Sequence, residues 1–227
     1  MTSDEDRKRL TAEEIAARLP DDFRHMPGQL MARYRLADFV TAQTLAAAVG
    51  ERAEETGHHP DLLVGWGYVE VRLSSHDVGG ITARDLRLAH QVSAAAQDAG
   101  AHPEPASLQV VDWGLDTWAS AEVLPFWRAV LGYGETTGEV TEDAELADPK
   151  GRGGPTVWFQ QSGQHDTPHQ RFHPDIWLPV DEAERRLHAA LAAGGRLVSD
   201  SEAPSFWVLA DPQDNRVCLC TVRERPA

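Results

Sequence analysis

The histidines at 58, 59 and 76 are the residues of this chain best suited to moving protons. Imidazole is the one side chain whose ordinary titration falls between pH 5 and 8, so a group of them can deliver and remove protons without strong tuning. They lie in Glu54-Glu55-Thr56-Gly57-His58-His59-Pro60-Asp61 and in Ser75-His76-Asp77-Val78-Gly79-Gly80. On one straight strand, rising about 3.3 Å per residue, His59 and His76 would stand over 50 Å apart. Between them, however, Gly65-Trp66-Gly67 predicts a turn joining two short strands. The midpoint of positions 59 and 76 falls at that turn, so both flank one end of a hairpin and three imidazoles are expected to converge. A histidine pair ahead of a strand more often has no function; the third histidine, in register, is what distinguishes this one. Adjacent residues on an extended chain point to opposite faces, so His58 and His59 are badly placed to share an ion, and no metal is expected there.

The elements that must position these residues are legible from caps and periodicity. Thr11-Ala12-Glu13-Glu14 is a capping box opening a short helix that Pro20 ends, with Ile15 and Leu19 on its apolar face. A strand is expected over 31–36. Asp38 then caps a helix over 39–56, in which Phe39, Ala42, Leu45, Ala46, Val49 and Ala53 form one buried stripe and Gly57 supplies the stop. Glu54 therefore lies in its last turn, just before the histidines. Thr82 caps a second helix to about residue 99, with Asp85 at its third position and Leu86, Leu88, Ala89, Val92 and Ala96 buried. The result is an α+β layer, an antiparallel sheet with helices covering one face.

The chain of 227 residues is long enough for two domains, and the Pro-containing connector Gly100-Ala101-His102-Pro103-Glu104-Pro105-Ala106-Ser107 marks the boundary. The expected domains are 10–100 and 108–222, with 101–107 as linker. A net charge of −15 argues against nucleic acid as a partner, because phosphate recognition needs clustered Lys and Arg. No apolar run reaches the roughly 20 residues that span a bilayer, and the charged start has no signal-peptide core, so a cytoplasmic protein without a membrane partner is expected. Cys218 and Cys220 share one face of a strand and are expected as reduced, buried thiols.

With Glu54, His58-His59-Pro60, Trp66, His76 and Asp85 at these separations, and with His76-Asp77-Val78-Gly79-Gly80-Ile81-Thr82 leading into Asp85-Leu86-Arg87-Leu88-Ala89, residues 10 to 100 resemble the pterin-4a-carbinolamine dehydratases. Phe23 stands near a place where many members carry Trp, a packing difference. The resemblance implies dehydration of a 4a-hydroxytetrahydropterin to the quinonoid dihydropterin, with no cofactor and no metal. It implies His58, His59 and His76 as catalytic residues, with His59 and His76 as the proton-transfer pair and His58 binding substrate or serving as auxiliary acid. Which of the pair is acid and which base stays open. Glu54, Pro60, Trp66, Asp77 and Asp85 are the implied substrate-binding set. Glu54 could equally orient a histidine or be a solvated charge, and Asp85 by itself reads as a helix N-terminal residue favoured by the dipole. The partners implied are a small-molecule pterin and other copies of the chain, as a homo-oligomer.

From residue 108 the pattern becomes strand, helix, strands, and it occurs twice. Strands are expected at 108–115, 139–147 and 156–160, with a helix over 119–131 and a loop at 150–155; the second copy starts with a strand at 171–178, continues with a helix over 181–193, and ends with strands near 196–199, 205–209 and 216–221. Phe126-Trp127 through Leu131-Gly132, Arg171-Phe172-His173-Pro174-Asp175 and Trp207-Val208-Leu209-Ala210-Asp211-Pro212-Gln213-Asp214-Asn215 make these paired βαβββ units similar to the glyoxalase or vicinal-oxygen-chelate superfamily. His173 fits a metal-ligand position of that family, but Cys218 stands at the other and the first unit offers only Asp112 or Asp116, so no catalytic ion is expected. A pocket lined by Trp113, Trp118, Trp127, Trp158 and Trp207 could bind a flat ligand, although aromatic residues on strands usually belong to the core. The leading expectation is a hydro-lyase acting through the first domain; the alternatives are a non-catalytic pterin-binding or regulatory protein and a glyoxalase-like enzyme acting through the second.

Overall fold

The computed structural model describes residues 4–121, 123–124, 127, 133–135, 145–148, 154–163, 172–210 and 216–223. Their contacts divide the chain into two units, Met1–Leu108 and Gln109–Ala227.

In the first unit Arg24–Met26 (β1), Gln29–Arg35 (β2), Asp61–Gly65 (β3) and Tyr68–Leu73 (β4) form an antiparallel sheet in the order β1-β2-β4-β3. The reversal at Trp66-Gly67 is present, with Gly65 opposite Tyr68 and Asp61 opposite Arg72. Helix Ala12–Ala16 (α1) opens with the Thr11–Glu14 capping box. Helices Phe39–Thr56 (α2) and Ala83–Asp98 (α3) are capped by Asp38 and Thr82. Alternation along β2 and β4 turns Leu30, Ala32, Tyr34, Val69, Val71 and Leu73 into one core with Ala42, Leu45, Val49 and Ala53 of α2 and Leu86, Ala89 and Val92 of α3. Phe39 departs from the expected stripe and is exposed, because it is the first residue of α2 and burial begins one turn later at Ala42.

The connector drawn at 101–107 is built into this unit. Strand β1 pairs only with the first residues of β2, which leaves Tyr34 and Arg35 open on that edge, and His102–Pro103 (β5) fills it. The Glu104 N–H donates to Arg33 O, and a 3-10 turn over Pro105–Ser107 follows.

The second unit carries one eight-stranded sheet. Its strands are Val110–Thr117 (β6), Gly134–Glu135 (β7), Glu145–Ala147 (β8), Val157–Gln161 (β9), Phe172–Trp177 (β10), Arg196–Ser199 (β11), Phe206–Ala210 (β12) and Arg216–Cys220 (β13), in the order β11-β12-β13-β10-β6-β9-β8-β7. β6 lies parallel to β9, β10 lies parallel to β13, and β6 and β10 join antiparallel. The two expected βαβββ repeats are therefore present as two halves of one sheet, each with its first and last strand side by side. Helix Val180–Ala192 (α4) buries Ala183 and Leu187 and ends before Gly194, whose φ is 96°. Most of the helix expected over 119–131, most of the strand expected over 139–147, the turn at 150–153, and Arg171 and 211–215 lie outside the described residues.

No helix among the described residues is long and apolar enough to cross a membrane. Gly57 closes α2 in the left-handed region, with φ 60°, and its N–H and that of His58 return to the last turn of the helix. A side chain is strained there, so Gly57→Ala is expected to destabilise the first unit by about 1 kcal/mol in a denaturant titration; an unchanged midpoint would contradict this account of how the chain enters the histidine segment.

Candidate functional site

The stop at Gly57 turns the chain inward, so that His58, the next residue, is buried. Its Nε2 lies 2.8 Å from Asp85 Oδ1. The other oxygen of Asp85 accepts from Ser75 Oγ at 2.7 Å and from the Thr82 N–H at 2.8 Å, and Ser75 and Thr82 hydroxyls meet at 2.9 Å. Asp85 is fully buried. Burial works to raise its pKa, but the hydrogen bonds from His58, Ser75 and Thr82 outweigh it and hold the carboxyl below its ordinary value. An ionised carboxylate only accepts, so the proton on His58 sits on Nε2, and Nδ1 is the ring atom left for other work.

One carboxylate thus joins the end of α2, the strand exit after β4 and the start of α3. His59 and His76 are the residues that follow His58 and Ser75, the two side chains Asp85 holds together. Both are exposed. His59 Nε2 lies 3.1 Å from Glu54 Oε1, five residues back, a contact between two exposed side chains. Of the three imidazoles expected to converge, the Asp85 bond holds His58 beneath the surface while His59 and His76 are exposed.

The implied substrate-binding residues divide likewise. Pro60 is half-buried beside His59. Asp77 is exposed, and its carboxyl is held low chiefly by the Arg84 guanidinium at 2.6 Å, with Arg7 at 3.8 Å. Asp85 is spent on the buried network. Trp66 is exposed at the turn, the length of β3 away from the histidine end, about 17 Å, so the structure does not bring it to the imidazoles. Ser75 and Thr82 were not anticipated as members of the network; the signal was a charged residue next to the buried stripe of α3.

In the second unit, strand alternation sorts the sheet into two faces. Leu115, Val157, Phe159, Trp207, Leu209 and Leu219 turn to apolar clusters. The opposite positions line a cavity of about 890 Å³. Asp112, Asp175 and Cys218 form one row across β6, β10 and β13, and Trp158, Gly114 and His173 form the next. His173 lies over Gly114, where a Cβ would stand 2.6 Å from the ring, and meets Trp158 edge-on at 5.6 Å. Its Nε2 is 3.5 Å from Asp175 Oδ1 and its Nδ1 3.9 Å from Asp116 Oδ1. Asp112 is pushed up to about 6 by burial and the Glu145 carboxylate, and Asp175 is also raised by burial.

Of the five tryptophans expected to line a pocket, only Trp158 lines this cavity among the described residues. Trp207 and Trp127 pack into the apolar clusters and Trp113 and Trp118 are exposed; Trp177 lines the cavity instead. Cys218 and Cys220 are free thiols as expected, Cys220 buried and Cys218 half-buried; both also line the cavity, with the Cys220 thiol pushed up by its bond to Cys218 and by burial. His173, Asp175 and Cys218 bring one ligand atom each within 4.8 Å of one another. That nitrogen, oxygen and sulfur set matches the ligand number of an open zinc site, so residues able to hold an ion are present where none was expected to suffice.

Residues 8–104 match the family model for pterin 4 alpha carbinolamine dehydratase, and residues 112–220 match that for a glyoxalase-like domain. A protein of Natronomonas pharaonis named "Putative pterin-4-alpha-carbinolamine dehydratase" is 38% identical over 89 residues, 39% of this chain and 97% of its own. One of the same name from Microcystis aeruginosa is 42% identical over 87 residues, 35% of this chain and 74% of its own. Among solved structures, a transcriptional coactivator/pterin dehydratase from Brucella melitensis is 28% identical, covering 39% of this chain and 99% of its own at a TM-score of 0.38. A glyoxalase/bleomycin resistance protein/dioxygenase superfamily member from Vibrio splendidus is 15% identical, covering 50% and 99% at a TM-score of 0.35.

A carboxyl whose folded pKa is depressed stabilises the fold above its unfolded value, and that contribution is lost as pH falls through the folded one. Urea titrations from about pH 5 down to about pH 2 should therefore show wild type losing more stability than Asp85→Asn, while at neutral pH the variant is less stable by about 3 kcal/mol. Parallel acid limbs would show that Asp85 is not held ionised by His58, Ser75 and Thr82.

Proposed function

Through residues 8–104 the chain belongs to the pterin-4a-carbinolamine dehydratase family, and from this we propose that the first unit removes water from a 4a-hydroxytetrahydropterin. The reaction breaks the bond from carbon 4a to its hydroxyl, delivers one proton to the departing oxygen, takes one from the neighbouring ring nitrogen, and forms the carbon–nitrogen double bond of the quinonoid dihydropterin. Protons balance, and no electrons enter or leave.

His59 and His76 are the exchanging pair in this proposal. Both reach solvent, which suits groups that must reload between turnovers, and they stand on the two segments that Asp85 draws together. His58 is a positioning and binding residue in this proposal: its Nε2–H is committed to Asp85, which leaves Nδ1 as the ring nitrogen able to bind. Glu54 orients His59, while Pro60 and Asp77 edge the same surface. The observation that carries the proposal is the buried His58–Asp85–Ser75 link, because it explains how histidines eighteen residues apart serve one ligand. An ion held by His173, Asp175 and Cys218 would supply Lewis-acid polarisation in the second unit, and the dehydration uses none of those residues. Self-association is part of the proposal; exposed Phe39, Val40, Leu63 and Trp66 give the first unit apolar surface for it.

General acid–base groups each contribute about 10² to 10⁴ in rate. In stopped-flow assays, the wild-type chain should speed decay of a freshly generated 4a-hydroxytetrahydropterin, with His59→Ala and His76→Ala slower by a factor in that range. Equal rates in wild type and both variants would remove the proposal. Pterin binding with no turnover in wild type would favour a non-catalytic pterin-binding protein, and turnover that resides in 109–227 would favour the glyoxalase-like unit.

A further inference from the structure

The cavity of the second unit is chemically lopsided. Among the described residues, four carboxylates line it, from Asp112, Asp116, Glu145 and Asp175, against the guanidinium of Arg216 and the imidazole of His173. Asp175 is only 5% exposed, and although Cys218 and Trp158 hydrogen-bond to its carboxyl, Oδ1 has no donor of its own; the cationic group beside it, His173 Nε2, stands off at 3.5 Å. A buried carboxylate oxygen without a donor is costly, so the position is one that a ligand donor would relieve. Two residues along the same face of β10, Trp177 Nε1 is buried with its N–H unmatched. The strand therefore presents, side by side, an acceptor lacking a donor and a donor lacking an acceptor.

A bare metal ion answers only half of this. It would satisfy Asp175 through the set with His173 and Cys218, but it accepts no hydrogen bond from Trp177, and it would leave most of a cavity of about 890 Å³ unused. That volume lies within the range of organic ligand sites, about 300 to 1,000 Å³. A simple ammonium also lacks the acceptor. What fits is an edge carrying N–H donors beside a carbonyl, on a flat body that can lie against Trp158 and Phe206.

We infer that the cavity of the second unit binds a flat heterocycle through a 2-amino-4-oxopyrimidine edge, Asp175 accepting from its amino and ring N–H groups and Trp177 donating to its carbonyl. A pterin carries that edge, and the choice of a pterin over a guanine base rests on the proposed activity of the first unit; the edge itself rests on Asp175 and Trp177 alone. The second unit then holds pterin that the first unit forms or consumes. Asp112 and Glu145 line the same cavity and add to the negative field that draws in a donor-rich ring.

The test is equilibrium dialysis of the full chain with pterin itself, 2-amino-4-oxopteridine. Wild type should take up two equivalents, and Asp175→Asn should lose one of them, its affinity falling at least about tenfold, while dehydration by the first unit is unchanged. Trp177→Phe, which removes the N–H together with the five-membered ring of the indole, should weaken the same equivalent. Lumazine, in which the amino group is replaced by oxygen, should bind that site at least about tenfold more weakly than pterin. If the first unit's proposal fails, wild type takes up one equivalent instead of two, and Asp175→Asn abolishes it, so the two failures are distinct. Guanosine bound in preference to pterin supports the edge and assigns the source to a nucleobase. Uptake that neither variant alters, equal binding of lumazine, or stoichiometric zinc by elemental analysis with no pterin at this site would overturn the inference.

Discussion

The carboxylate of Asp85 is the constraint on which the first unit depends. It serves three masters at once: it completes the capping box of α3 with Thr82, it anchors the strand exit through Ser75, and it fixes the ring of His58. None of these bonds is solvated, so none is easily exchanged for water, and removing the carboxylate strands three polar groups in a buried place. The hairpin alone brings residues 59 and 76 to the same end of the sheet. It is Asp85 that fixes the depth of each segment, and in doing so it separates a buried imidazole from two that meet solvent.

The second unit solves a different problem with a sheet. Each strand has two faces, and the sequence writes one in aliphatic residues and the other in acids, thiols and a histidine. Because first and last strands of each repeat lie side by side, the polar faces of β6, β9, β10 and β13 are contiguous, and they wall the cavity. Gly114 shows how closely the rows fit: any side chain there would occupy the space of the His173 ring. The apolar face holds the unit together, which leaves the other free to carry groups that are costly to bury.

Much of this was legible in the chain. α2 runs from Phe39 to Thr56, as its Asp38 cap and Gly57 stop imply, and β10 to β13 follow the second expected repeat closely, since alternation and flanking turns are local signals. Sequence reading fell short where one residue answers to partners far along the chain. Asp85 reads correctly as a helix N-terminal residue, but its bond to His58, twenty-seven positions away, has no periodic signature. The tryptophans misled for a related reason: residue type suggested a pocket, while strand parity sent Trp207 into the core and Trp177 to the cavity. β5 was missed because a two-residue strand is set by an open edge on β2 and not by its own residues.

The division of labour among the three histidines is the central claim, and a long-range ¹H–¹⁵N NMR spectrum of their ring nitrogens, recorded in Asp175→Asn protein before and after addition of a pterin, tests it most directly. The account predicts His58 as the Nε2–H tautomer throughout and His59 and His76 shifting together as the ligand binds. A His58 ring protonated at Nδ1 alone, or ligand shifts that leave both His59 and His76 unmoved, would contradict it.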